Sequence, residues 1–262
     1  LRDSPHCTGS AWDVPHFYPE AVRQQARGLL DEAARLAPQA GPDRERVAVV
    51  TETFDMLEAV IAMLDRRAAG DFVAAQAALD KLDAVANKLM SYEPVPMLSA
   101  GRHSTYVNYM NRFFRPCTEQ GYARVTGGNR PAAVADDVWQ FLTDPPRVGE
   151  SIGLWRPEVT GGQWQTIKTS TSSWSNQGLR YYKGLAWYRQ TLAVPAEFQG
   201  RRVFLWCGGA DERAKVWLNG CELGVSHGAA FYPFEMDATQ AVRPGELMPA
   251  AWRILAMAFV TF

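Results

Sequence analysis

Apolar residues recur at every third or fourth position through the amino-terminal third of the chain, a spacing that lines them along one side of a helix. This pattern predicts helices over residues 19–36, 43–69 and 71–92, and a fourth, aromatic-rich helix over residues 104–114. Each amphipathic helix must bury its apolar side, so mutual packing into a bundle explains these stripes more economically than binding of a partner.

From Leu185 onward the period of the apolar positions changes to two, which is typical of strands. Strands are predicted over residues 185–194, 202–207, 214–218, 221–225, 231–236 and 250–262. Asn219-Gly220 separates two apolar runs, and this dipeptide is the strongest short-range signal for a β-hairpin. Residues 121–162 mix short apolar pieces with glycines and prolines, so they are interpreted as the approach to a second domain.

The change of period predicts an α+β multidomain protein, with a helical bundle over residues 1–120 followed by an antiparallel β-sandwich over residues 121–262. The 262 residues, of which 47% are hydrophobic and 21% charged, are enough for two modest cores. The exposed edges of an incompletely closed sandwich favour pairing with a second chain, so a homodimer is expected.

The net charge of the chain and the sequence of its amino terminus limit which kinds of binding partner and location are expected. A formal net charge of −1 provides no basic field, so nucleic acid and membranes are not expected partners. No apolar run reaches the roughly 18 residues of a membrane-spanning helix, and Leu1-Arg2-Asp3 does not open a signal peptide. The chain begins without methionine, so we expect a fragment of a longer protein or a chain whose leader has been removed. Its localisation stays open, with secretion or a periplasmic location as part of a longer precursor among the alternatives.

Three sequence blocks stand in a characteristic order in the carboxy-terminal part: Gly184-Leu185-Ala186-Trp187-Tyr188-Arg189, then Arg202-Val203-Phe204-Leu205, then residues 211–220, which end in Trp217-Leu218-Asn219-Gly220. Together with the Phe234-Glu235 stretch they resemble the sugar-binding domain of family 2 glycoside hydrolases over about residues 150–246. The resemblance implies a galactose-binding-like jelly roll. Past Glu246 the chain departs from the family pattern, although a closing strand with altered side chains could still complete the sandwich through its backbone.

The helical part is similar, less specifically, to the region before such a domain in large uncharacterised bacterial proteins predicted to act on glycans. Proteins of that type carry an upstream catalytic barrel, which needs about 250 residues of alternating strands and helices and is not seen in this sequence. The resemblance therefore implies a non-catalytic carbohydrate-binding or scaffolding carboxy-terminal fragment of a glycoside-hydrolase-related protein. Its implied partners are a carbohydrate and an upstream catalytic barrel domain.

A saccharide site pairs an aromatic platform with a few polar groups that fix orientation. The candidate sugar-binding residues are Trp174, Asn176, Arg180, Tyr182 and Glu212. Trp174 lies in a Ser/Thr-rich loop, so it either contacts the ligand or covers the core. The tryptophans predicted to lie on strands are expected in the core.

The alternative function is a promiscuous small hydrolase of activated esters or phosphoesters. In that reading Cys207 is the nucleophile, His227 activates it and Asp211 orients the imidazole. Glycoside hydrolysis by the chain itself would need two carboxyl groups facing one another across a cleft. The adjacent Asp211 and Glu212 would point to opposite faces of a strand and make a poor pair. Nothing in the sequence brings the other options together, which are Glu150, Glu158, Glu222 and Glu235.

The four cysteines show neither CxxC nor zinc-ribbon spacing, so no metal site and no cofactor are predicted. A structural calcium ion held mainly by backbone oxygens would leave no signal in the sequence. Cys207 and Cys221 both lie near strands, where they either form a disulfide or remain free thiols.

Overall fold

The computed structural model describes residues 13–93, 96–98, 108, 110–127, 133–169, 172–210, 213–226 and 232–255. Within these ranges helices come first and antiparallel strands follow, so the predicted α+β class is confirmed. We call residues 14–126 the helical region and residues 138–255 the β-region. No helix in the described part is both long and apolar enough to cross a membrane.

The helical region follows the predicted pattern, with one extension. Its elements are α1 (Val14–Phe17), α2 (Glu20–Leu36), α3 (Pro42–Ala68), α4 (Phe72–Met90), a π-helical turn (Met110–Phe114) and α5 (Arg115–Thr126). Gly70 separates α3 from α4 with a φ of +72°, and the Asp71 carboxylate accepts from the Ala74 N–H at 3.0 Å as the cap of α4. The first half of the fourth predicted helix lies largely outside the described residues. The π-helical turn falls in its second half, and α5 follows it across the proposed division between residues 120 and 121.

Helices α3 and α4 bury apolar residues against each other, but α2 does not. Leu64 of α3 and Leu79 and Leu82 of α4 are buried in one core. None of the residues of α2 is buried, and its apolar Leu29 is 62% exposed. Arg27 holds α2 on α3 instead, through ion pairs with Asp55 at 2.6 Å and with Glu58. The expectation that α2 buries its stripe against the other helices was therefore wrong.

The described residues of the β-region form one six-stranded sheet and one two-stranded sheet. Its strands are β1 (Val138–Thr143), β2 (Gln165–Lys168), β3 (Leu185–Ala193), β4 (Phe204–Cys207), β5 (Arg213–Leu218), β6 (Cys221–Val225), β7 (Phe234–Asp237) and β8 (Leu247–Leu255). The larger sheet has the order β2-β1-β3-β8-β5-β6, and β4 pairs with β7. Two of these strands, β1 and β2, were missed, because their segment contains many glycines and prolines.

The predicted hairpin is present between β5 and β6. Asn219 has a φ of +51° and Gly220 one of +75°, the two left-handed conformations that a type I′ turn requires. The strands pair from Lys215 opposite Val225 to Leu218 opposite Cys221, with a register shift near Val216.

The closing strand completes the larger sheet through its backbone. β8 pairs with β3 from Leu185 opposite Leu255 to Ala193 opposite Leu247, and it pairs with β5 on its other side. Pro249 lies just past the end of β5, where its carbonyl accepts from the Asn219 N–H at 2.9 Å. A proline is tolerated there because the missing N–H points to the side on which β5 has already ended. The strand begins at Leu247 rather than at the predicted Ala250.

Candidate functional site

The loop over residues 172–183 carries most of the predicted sugar-binding residues. Trp174 is 4% exposed, and its indole Nε1 donates to the Tyr188 hydroxyl at 2.6 Å. The Trp174 ring also meets the Phe141 ring edge-on, at 5.4 Å between centroids. The geometry therefore favours the core-covering interpretation of Trp174 over the ligand-contacting one.

Two further candidates in this loop are also engaged within the protein. The Asn176 amide donates to the buried Asp13 carboxylate, which precedes α1. The Tyr182 hydroxyl donates to the Leu185 carbonyl, its ring packs 5.7 Å from that of Trp174, and burial raises its pKa. The loop is thus fastened to the core and to the helical region.

Arg180 is the predicted residue that the structure leaves exposed in this loop, and Glu212 lies outside the described residues. The Arg180 guanidinium carbon lies 5.9 Å from the ring centroid of Tyr181, which is 87% exposed. The structure brings Trp174 and Tyr182 together, but as packing partners below the surface. Arg180 is therefore the accessible residue among the described members of the predicted site, and the exposed Tyr181 ring lies beside it.

Aromatic faces on the outer side of the large sheet are also occupied. Trp155 stacks on Trp217 at 6.3 Å between centroids, and the Arg156 guanidinium carbon lies 4.9 Å from the Trp155 ring centroid. The Arg189 guanidinium similarly covers Trp164 at 4.5 Å. Stacking partners already hold these rings, so they do not offer the open platform that a sugar ring would use.

The proposed nucleophile is poorly placed for catalysis. Cys207 is fully buried, its thiol donates to the Gly209 carbonyl at 3.3 Å, and burial raises its pKa. A high pKa suppresses the thiolate, which is the nucleophilic form. His227 and Asp211 lie outside the described residues. Cys207 and Cys221 are both free thiols, one buried on β4 and the other exposed on β6, so the disulfide alternative was wrong.

This difference between the thiols is measurable. With an aromatic disulfide reagent on the folded chain, we expect Cys221 to be modified at least about 100-fold faster than Cys207, because Cys207 is buried and its raised pKa lowers its thiolate fraction. Labelled peptides are identified by mass spectrometry over time. Cys117, which is also buried, serves as the protected reference. Labelling of Cys207 as fast as Cys221 would contradict the buried placement.

The structure brings together two carboxylates that are distant in sequence. Lys215 donates to Glu150 at 2.5 Å and lies 3.0 Å from a Glu222 oxygen, beside the Trp217 ring. The two carboxyl groups of a retaining glycosidase lie roughly 5.5 Å apart. The Glu150 and Glu222 oxygens can be no farther apart than that, because both contact the same Lys215 nitrogen. However, both carboxylates are ion-paired with Lys215, whereas glycoside hydrolysis needs two carboxyl groups that face a substrate across a cleft. This cluster is therefore better explained as an ion-pair network.

A cleft of about 550 Å³ lies where the helical region meets the free edge of the large sheet. Its walls come from α1, α3, β1, β2 and the loop that begins at Ser172. The lining residues are Pro15, His16, Leu64, Asp65, Val138, Thr166, Ile167, Lys168, Ser172 and Gln177. Sequence reasoning missed it because its walls come from segments that lie far apart in the chain. Among the described residues, no group of three His, Cys, Asp or Glu side chains could hold a metal ion.

No family model matches the chain. It is similar to a β-glucuronidase of Paenibacillus borealis, with 34% identity over 109 residues that make up 41% of this chain and 18% of that protein. A β-glucuronidase of Formosa agariphila is 25% identical over 120 residues, 41% of this chain and 12% of that protein. A solved β-glucuronidase from Ruminococcus gnavus in complex with uronic deoxynojirimycin has 24% identity and a TM-score of 0.43, covering 47% of this chain and 21% of its own. This chain thus spans less than a fifth of the length of these two curated relatives, and it contains a region related to family 2 glycoside hydrolases.

Proposed function

We propose that this chain is a non-catalytic, carbohydrate-associated or scaffolding part of a glycoside-hydrolase-related protein. In this proposal the β-region is a jelly roll that supports a catalytic domain located elsewhere in the parent protein. The proposal keeps a division into a helical bundle over residues 1–120 and a sandwich over residues 121–262. Its support begins with the similarity to curated β-glucuronidases, which covers 18% of the length of one and 12% of another.

The observation that carries the scaffolding role is the inward engagement of the predicted sugar loop. Trp174, Asn176 and Tyr182 donate their side-chain hydrogen bonds to protein acceptors, and the Trp174 bond is buried in the core of the β-region. Groups already satisfied inside the fold stabilise the domain and are poorly available to a ligand. A rigid loop of this kind suits a module that positions other parts of a protein.

The described residues also argue against independent glycosidase activity. Glu150 and Glu222 share Lys215, and Glu235 is ion-paired with Arg124 of α5. A retaining or inverting mechanism needs two carboxyl groups that face the substrate. Each of these carboxylates is instead ion-paired within the protein.

We expect the purified chain to show no turnover above background on chromogenic β-glucuronides, β-galactosides, esters and phosphoesters. Glu150→Gln and Glu222→Gln variants are the controls for a hidden glycosidase, and Cys207→Ala and His227→Ala are the controls for the small-hydrolase alternative. Glycoside turnover lost in either glutamine variant would overturn the non-catalytic assignment. Ester turnover lost in either alanine variant would favour the alternative function.

A further inference from the structure

We infer that the cleft between α1, α3 and the β2 edge is a binding site for a small carboxylate with an apolar body, of about the size of one substituted ring. This inference does not depend on the proposed scaffolding role. The cleft volume of about 550 Å³ falls within the range of small-molecule sites, which is roughly 300–1,000 Å³. Both regions of the protein contribute walls, and junctions of this kind are frequent ligand sites.

The cleft has an apolar wall on which a ring could pack. Pro15 of α1 and the exposed Val138 of β1 form it, whereas Leu64 and Ile167 also line the cleft but are almost completely buried. Val138 is opposite Lys168 in the β1–β2 register, so their side chains emerge on the same face of the sheet. An apolar body resting against Val138 would therefore have the Lys168 ammonium within reach of its substituent.

Lys168 is the group that selects a negative charge. It lines the cleft, and within the described part of the chain no carboxylate pairs with it. Asp65 is the opposing charge on the α3 wall, and burial raises its pKa although Arg23 and Arg66 act in the other direction. Those two arginines offset the Asp65 charge, so Asp65 does not cancel the attraction of the Lys168 ammonium for an anion.

The free sheet edge adds hydrogen-bonding groups. The Lys168 N–H and C=O both bond to the Gln177 amide rather than to β1, so these groups point away from the sheet. Backbone direction alternates along a strand, and Thr166 therefore turns its own N–H and C=O toward the same open edge. Thr166 lines the cleft, so its N–H is available to a carboxylate oxygen.

The site is held in place before any ligand arrives. Gln177 donates to the carbonyls of Lys168, Ser172 and Ser173, which fixes the edge of β2 against the following loop. The Asn176 bond to Asp13 ties that loop to the start of α1. Preformed walls reduce the ordering cost of binding, which is what a small ligand with few contacts requires.

The test uses the full chain and three probes: benzoate, the uncharged benzamide with the same ring, and acetate, which has the charge without the ring. Ligand-observed NMR titration gives the dissociation constants. We expect benzoate to bind in the millimolar range and at least about tenfold more tightly than either other probe, since ring and charge both contribute. Lys168→Gln should weaken benzoate by about tenfold. Lys183→Gln, which removes an exposed lysine outside the cleft lining, should leave it unchanged.

A second groove, outside the proposed site, provides another control variant for benzoate binding. An apolar groove of about 540 Å³ between α1 and α3 is lined by residues that include Tyr18, Val50 and Phe54. Val50→Asp, which changes an exposed residue of that groove, should not alter benzoate binding. Equal weakening by the two lysine variants, loss in Val50→Asp, equal affinity for benzamide or no binding of benzoate up to about 10 mM would each overturn the inference. None of these results bears on turnover of glycosides, so the proposed function is tested separately.

Discussion

Replacement of Asp144 by alanine is expected to destabilise the β-region by about 3 kcal/mol. The buried Asp144 carboxylate accepts from the backbone N–H groups of Val148 and Gly149, at 3.0 and 2.9 Å, and from the Trp187 indole at 3.0 Å. Alanine would leave these donors in the interior without an acceptor, and each unsatisfied buried group costs free energy. The measurement is urea unfolding followed by tryptophan fluorescence.

Asp144 is surrounded tightly enough that little rearrangement can rescue the loss. A methyl group at Gly149 would lie 2.2 Å from Trp187 Nε1 and 2.7 Å from the Asp144 carboxylate. There is therefore no room beside Asp144 for another side chain to take over its hydrogen bonds. Asp144→Asn, which keeps one acceptor oxygen, should cost about half as much. Asp80→Ala on the exposed face of α4 is the control, expected within about 0.5 kcal/mol of the unmodified chain. An Asp144→Ala midpoint equal to that of Asp80→Ala would contradict the expected role of this carboxylate.

The elements that sequence predicts correctly are those with local signals. Asn219-Gly220 adopts positive φ at both residues, and the Asp71 side chain caps α4, so each signal acts within a few residues of its effect. β1 escaped prediction although Trp139 and Phe141 alternate with exposed neighbours, because the prolines and glycines that follow indicate turns. Glycines and prolines beside a short strand can therefore hide the alternation of apolar and polar residues that would predict it.

The candidate site depends on partners that are distant in the chain. Asn176 bonds to Asp13 across 163 positions, and no local pattern could assign that pair. Trp174 reads as an aromatic group in a polar loop, and only the Tyr188 hydroxyl opposite it shows that the indole belongs to the core. The same limit hid the cleft, since α1, α3 and β2 meet there through tertiary packing alone. The residue types of this loop thus predicted polar contacts. Only the folded structure shows that these contacts are made to the protein itself.

Replacement of Phe72 by alanine is expected to cost about 3 kcal/mol and to loosen the helical region from the β-region. Phe72 is buried at the start of α4, where its ring meets Trp206 of β4 edge-on at 5.6 Å. It also fills the space above Gly121, where a methyl group would lie 2.2 Å from its ring. Removing the ring leaves a cavity between the two regions, so both transfer and cavity contributions are lost. Urea unfolding should then broaden or divide into two transitions.

The neighbouring residue provides the matched control, because Val73 is on the same helix and more than half exposed. Val73→Ala should leave the unfolding curve within about 0.5 kcal/mol of the unmodified chain. A second contact near Phe72, among the described residues, is made by Arg124, which pairs with Glu235 and lies 5.3 Å from the Trp206 ring centroid. A single exposed ion pair contributes at most about 1 kcal/mol, so it cannot replace the buried ring. A Phe72→Ala chain that unfolds in one transition at the unmodified midpoint would show that the two regions are coupled by contacts other than this ring.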